Sequence, residues 1–252
     1  MRAVQAIGVL LLACTPAAAR SPELSLPQAV APSVKAGVQA LAEGAYLYRP
    51  RGDAAGRRPV LVILHGAGMS GRAYLEGLRG EADRCGCLLL SVQAGGRTWD
   101  TIGLVARAGA GRVTPDRLYG DDVGRVERAL ATALKAADAD RRSVILAGFS
   151  DGASYALSLG LANPRVFRGV VAIAPGFHLE PAAINPHQRL FVAHSPQDRI
   201  LPFERTRDAT VAPLRRAGFD LRFRPFDGGH RVDRKVLAEG VDFVLGREPT
   251  KG

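Results

Sequence analysis

Four short runs decide what this chain can fold into: Val60-Leu61-Val62-Ile63-Leu64, Ser143-Val144-Ile145-Leu146-Ala147, Val170-Val171-Ala172-Ile173 and Leu190-Phe191-Val192-Ala193. Each is almost continuously apolar. A strand with one wet face alternates apolar and polar residues, so these strands read as buried on both faces, in a parallel sheet covered by helices. The stretches between them carry helical spacing instead. In Asp121 to Ala137, Val123, Val126, Ala129, Leu130 and Leu134 fall near one face. Further strands are expected at Ala45–Tyr48, Leu88–Val92 and Leu221–Phe226, with a helix-like segment before Leu88 and a closing helix over Val232–Leu245. Strands alternating with helices predict an α/β fold: a doubly wound, mostly parallel sheet flanked by helices, with a minimal cap. The 252 residues suit one domain, expected over 34–248, and no internal repeat divides it.

The amino terminus has the pattern of an export signal. Arg2 supplies the positive start, Ala3 to Ala13 the apolar core and Ala17-Ala18-Ala19 the cleavage site, giving a signal peptide over 1–19 and a periplasmic or extracellular protein. Leu11-Leu12-Ala13-Cys14 resembles a bacterial lipobox, so lipidation of Cys14 and attachment to a membrane compete with simple cleavage. Residues 20–33, with Pro22, Pro27 and Pro32, read as a linker. Formal charge is +10, and lysine occurs only at Lys35, Lys135, Lys235 and Lys251, so the excess is arginine. A basic balance raises the question of an anionic partner. The arginines are scattered along the chain without a basic block or interleaved aromatics, so no nucleic-acid partner is expected and they read as solvated surface. Cys85 and Cys87 lack the second pair or nearby histidine of a zinc site, so neither metal nor cofactor is assigned. They read as two buried thiols, too close in an extended segment for a relaxed disulfide.

One corner stands out. Gly148-Phe149-Ser150-Asp151-Gly152 lies between the strand ending near Ala147 and a helix-like stretch. G-x-S-x-G in that setting is a nucleophile elbow, which exposes a serine oxygen above the sheet at the positive end of a helix. The competing reading is a plain turn with Ser150 as helix cap. A serine nucleophile needs a base, and the base an orienting carboxylate, in the chain order serine, acid, histidine. Of the five histidines, His230 alone follows the last candidate strand, in Asp227-Gly228-Gly229-His230. His178 and His187 sit in a Pro-rich loop and are expected to face solvent, and His194 ends a strand as a buried histidine. Asp198, just beyond that strand, is the favoured acid over Asp227, which shares the histidine's own loop. Charge developing on a substrate carbonyl requires backbone N–H donors. The Asp151 amide supplies one, and His65-Gly66-Ala67-Gly68, after the strand at Val60–Leu64, fits the place of the other.

The pieces LVILHGAG, GDDVGRVERAL, LAGFSDGAS, DRILP and DGGH, spanning about residue 59 to 230, resemble the serine esterases of the α/β-hydrolases. The resemblance is to the phospholipase/carboxylesterase and polyhydroxybutyrate-depolymerase/feruloyl-esterase-like branches. It implies Ser150 as nucleophile, Asp198 as acid, His230 as base, and the Ala67 and Asp151 amides as the oxyanion hole. Ser195 departs from it, because the family commonly has glycine there. The expected reaction is carboxylic-ester hydrolysis through an acyl-enzyme. A peptidase or acyltransferase would use the same triad, and a catalytically silent binding protein would have no need of all three residues. The short, Pro-rich Pro175–Gln188 is expected to form a rim and no lid. Ala94–Leu118, with Trp99 and Arg97, Arg107, Arg112 and Arg117, is expected to form the other wall. An open site of this kind favours short acyl chains without interfacial activation.

Overall fold

The computed structural model describes residues 23–26, 35–52, 56–108, 119–135, 138–180, 185 and 187–247. Eight strands form one sheet: β1 (Gly37–Ala40), β2 (Tyr46–Arg49), β3 (Arg58–Leu64), β4 (Leu88–Val92), β5 (Ala139–Phe149), β6 (Gly169–Ile173), β7 (Arg189–His194) and β8 (Asp220–Pro225). Their order is β1-β2-β4-β3-β5-β6-β7-β8, with β3 to β8 mutually parallel and β2 antiparallel to its neighbours β1 and β4. The helices are α1 (Gly71–Cys85), α2 (Asp100–Ala108), α3 (Asp121–Leu134), α4 (Asp151–Ala162), α5 (Phe203–Thr206), α6 (Ala212–Arg216) and α7 (Arg234–Leu245), with a π-helical turn, Arg207–Val211, between α5 and α6.

The continuous apolar strands are buried on both faces, as their composition requires. Val60, Val62 and Leu64 of β3 point into one core with Val126 and Leu130 of α3 and Leu157 of α4. Leu61 and Ile63 point into a second core with Leu75 and Leu78 of α1 and Val241 and Val244 of α7. The period-two pleat thus feeds two apolar layers, one on each side of the sheet.

Local chemistry sets the helix limits. Ser70 caps α1 by accepting the Ala73 N–H, and Asp233 caps α7 by accepting those of Lys235 and Val236. Gly86 ends α1 in the left-handed region, at φ 69°. That curl corrects the expectation of two free thiols. With the segment bent, the Cα atoms of Cys85 and Cys87 lie 5.3 Å apart and the two sulfurs form a disulfide, within the ordinary span of such bonds.

Three elements had no counterpart in the apolar pattern: β1, the α5–π–α6 segment, and α2, which falls inside a stretch read as irregular. The signal-like segment with Cys14 and Ala17–Ala19, most of the 20–33 linker, and Arg112 and Arg117 lie outside the described residues.

Candidate active site

The parallel strands bring the corner, the acid loop and the last histidine to one end of the sheet. Ser150 leaves β5 with φ 56° and ψ −121°, a conformation that a residue with a side chain adopts only under strain. Its N–H is tied to the Ile173 carbonyl at 2.9 Å. The flanking glycines are required by close approach. A Cβ on Gly152 would run into the Leu64 and His65 carbonyls, and one on Gly148 into the Gly152 carbonyl. The Ser150 side chain makes no helix cap. Its Oγ lies 2.9 Å from His230 Nε2 instead.

His230 Nδ1 donates to Asp198 Oδ2 at 2.6 Å, which fixes the tautomer and leaves Nε2 to accept the serine proton. Gly228 and Gly229, at φ 123° and 74°, give the loop the turn that aims the ring, which also rests on Phe149 with centroids 4.8 Å apart. Asp198 is buried, and its two oxygens are fully occupied. Oδ1 accepts the Ile200 and Leu201 N–H groups at 2.8 and 2.9 Å, and Oδ2 accepts from His230 and from His194 Nε2 at 3.0 Å. Burial raises the Asp198 pKa. The Leu201 amide, His230 and the Ile200 amide outweigh it and hold the carboxyl below its ordinary value. Asp227 is exposed and accepts from Gln197 Nε2 at 3.1 Å. His230 is therefore placed against Asp198.

Two participants went beyond what the sequence indicated. His194 is buried as expected, but it also shares the Asp198 oxygen with His230. Its Nδ1 lies 2.8 Å from the Thr206 hydroxyl, which reaches the Pro175 carbonyl at 2.7 Å. Burial lowers the His194 pKa against the opposing pull of Asp198. Ser195, where the resemblance leads glycine to be expected, is buried. Its Oγ accepts the Gly229 and Gln197 N–H groups at 3.0 and 3.2 Å and donates to Gln197 Oε1 at 2.8 Å, so the acid loop and the histidine loop are joined through one hydroxyl.

The donor loop passes against the serine: a Cβ on Gly66 would meet Ser150 Cβ at 3.4 Å. The loop is held by Gly68 N–H to Arg97 O at 2.7 Å and by buried His65. His65 Nδ1 donates to Gly66 O at 2.8 Å while Nε2 accepts the Ala94 N–H at 3.2 Å. No acceptor among the described residues takes the Ala67 N–H. The Asp151 N–H is the first of α4, which helix geometry leaves without an intrahelical acceptor. The Asp151 carboxylate turns away to accept from Thr98 Oγ1 at 2.5 Å. Beside the serine, Met69, Tyr74, Leu78, Phe149 and Val232 line a groove of about 470 Å³.

Two expectations are corrected here. Trp99 forms no substrate wall. It is fully buried, stacked on Tyr155 with centroids 4.9 Å apart, and its indole N–H holds the His65 carbonyl at 2.9 Å. His178 does not face solvent either. Its side chain is 3% exposed, with Nε2 3.4 Å from the Glu180 carboxylate, whereas His187 is exposed as expected. Among the described residues, no group of three or more His, Cys, Asp or Glu side chains converges as metal ligands would.

Sheet order, strand direction and the strained serine corner together define the α/β-hydrolase fold, and the chain has that fold. No protein-family model and no curated protein sequence matches the chain. Solved structures do. A Bacillus cereus carboxylesterase is similar at TM-score 0.56 and 19% identity, over 75% of this chain and 88% of that one. Arabidopsis thaliana SOBER1 gives 0.57 and 18%, over 75% and 99%. A thermostable esterase gives 0.63 and 19%, over 84% and 62%.

Proposed function

We propose that this protein is a serine hydrolase that cleaves carboxylic esters, with Ser150 as nucleophile, His230 as base and Asp198 as acid. The observation that carries the reading is the hydrogen-bonded series from Ser150 Oγ through His230 to Asp198 Oδ2. In the proposed cycle His230 Nε2 takes the Ser150 proton as Oγ attacks the ester carbonyl, and Asp198 stabilises the resulting imidazolium. The Ala67 and Asp151 amides, which no acceptor among the described residues takes, receive the oxyanion, each such donor contributing roughly 3 kcal/mol. Collapse returns the proton to the leaving alcohol, and water activated by His230 frees the acid.

Described residues 175–180 are tied down to α4, with Gly176 N–H bonded to Ser154 Oγ and Leu179 N–H to Ser158 Oγ. This supports an open rim, and with it hydrolysis of short-chain p-nitrophenyl esters without interfacial activation. The test is a fluorophosphonate probe followed by a panel of esters, peptides and acyl acceptors. Labelling with turnover of acetate to butyrate esters is expected. Absence of labelling, or turnover of peptides in preference to esters, would refute the assignment. Export belongs to the same proposal. Mass spectrometry of the mature chain is expected to find a start at Arg20 or a lipidated Cys14, and a retained Met1 would exclude both.

A further inference from the structure

The arginines that are scattered in the sequence are gathered in the fold. In a parallel sheet, the segments that enter strands all emerge at one end. Arg51 and Arg57 precede β3, Arg142 is the fourth residue of β5, Arg165 precedes β6, and Arg215 and Arg216 precede β8. All six are exposed, and none forms an ion pair with a carboxylate of the described residues. Along the strand order β3-β5-β6-β7-β8 they extend over about four strand spacings, roughly 19 Å. On one flank they border a cleft of about 710 Å³, also lined by Asp83 and by Arg58, Arg79 and Arg247, which are paired with Asp138, Glu76 and Asp242. The opposite end, with Ser150, carries Asp100, Asp122, Asp151, Asp198, Asp227 and Asp233 beside Arg97, Arg199 and Arg234, while Asp83, Asp138, Asp140 and Asp220 lie at the arginine end.

The described residues 23–26 make a contact at the arginine end. Leu24 N–H is bonded at 2.8 Å to the side chain of Asn163, the residue that closes α4 at the foot of the sheet. Cys14, in its lipobox-like setting, lies nine residues before Glu23 (23 − 14 = 9), a length that spans at most about 30 Å. The cleft lacks the free aromatic faces on which bases stack. Tyr48 is covered by the Arg79 guanidinium, 4.7 Å from its ring.

We propose that the amino end of the sheet is a docking face for an anionic phospholipid surface, with Ser150 held at the far end, toward water. Guanidinium groups bind phosphodiester headgroups by paired, charge-assisted hydrogen bonds. Several exposed arginines on one face bring a protein to such a surface without any apolar insertion.

The test uses the full chain with Cys14→Ser, so that no acyl chain contributes, co-sedimented with vesicles of phosphatidylcholine alone or mixed with phosphatidylglycerol. Binding is expected only with phosphatidylglycerol and should weaken as salt rises. Arg57→Gln/Arg142→Gln/Arg165→Gln should lower the partition coefficient on the order of a hundredfold. The control Arg97→Gln/Arg199→Gln/Arg234→Gln removes the same charge from the serine end and should change it no more than about threefold. Circular dichroism and melting temperature verify that both variants fold. Absence of binding at low salt would overturn the proposal. So would equal loss in the two variants, which would mean that net charge acts and not a face. Tighter, equally arginine-dependent binding of duplex DNA would overturn it in favour of a nucleic-acid surface.

Discussion

Around the triad, at the carboxyl end of the sheet, buried polar atoms are fixed by one another: Asp198 accepts four hydrogen bonds, and Ser195 Oγ makes three. At the amino end the polar atoms are mostly exposed guanidiniums. They overlie one buried pair, Arg58 with Asp138 at 3.3 Å, in which Arg58 Nε and Asp138 Oδ1 lack a hydrogen-bond partner. The serine end depends on position, where a shift of one ångström matters. The arginine end depends on summed charge, where no single side chain is required. Substitutions at the first should therefore alter chemistry more than stability, and substitutions at the second the reverse.

The largest effect should come from Ser150→Gly, which abolishes fluorophosphonate labelling and, by relieving the strained φ, raises unfolding free energy by about 1 kcal/mol. Persistent labelling, or a loss of stability in denaturant melts, would break the contrast. Next, Asp198→Asn should lower kcat on the order of 10⁴-fold with little change in melting temperature, while Asp227→Asn does far less; steady-state kinetics on one short ester separates them. At the other end, Arg58→Met should cost about 2 kcal/mol in a urea titration, because Asp138 keeps Arg49 as a partner, and leave kcat unchanged.

Acid should loosen the serine end first. His65, His178 and His194 all lie there, and burial above all holds each below the ordinary imidazole value. Below about pH 6.5 the unfolded chain binds protons that the folded chain refuses, so stability is full above that pH and declines beneath it. Asp198, also depressed, adds a further loss below about pH 4, as pH falls from its unfolded value through its folded one. Scanning calorimetry should find a melting temperature lower by roughly 5 °C at about pH 5 than at about pH 7, and His178→Leu should flatten that slope. Smallest of all, replacing both Cys85 and Cys87 by alanine should cost no more than about 1.5 kcal/mol, because the bond closes so short a loop.

The elbow was legible because everything it needs is local: a buried strand, a corner with two small neighbours, then a helix. The two-faced burial of β3, β5, β6 and β7 was legible for the same reason. His194 beside Asp198 was not, because its reach depends on how residues 195–201 curl back under β7. Trp99 was misread because a Gly- and Arg-rich setting signals a loop while saying nothing of which side chain turns inward. The Cys85–Cys87 bond required knowing that Gly86 leaves the extended region. The segment over α5 and α6, with its arginines and Pro213, has no apolar period strong enough to announce a helix. The arginine face is the clearest case: residues far apart in the chain become neighbours only when a parallel topology stacks the strand entrances.

The Ser195 hydroxyl makes the acid loop and the base loop a single mechanical body. Residues 195–198 and 227–230 are held together by the Gly229 N–H on that oxygen, alongside the bonds from Gln197 to Asp227 and Gly228 and from His230 to Asp198. Thermal motion at this corner then moves acid and base together, and the coordinate left soft is the distance from His230 to Ser150. A glycine at 195 would remove that tie and leave the loops joined through His230 with Asp198 and through Gln197 with Asp227 and Gly228. The Gly229 amide, which in the native chain should exchange with solvent as slowly as the Asp198 amide, would then exchange at a rate of its own.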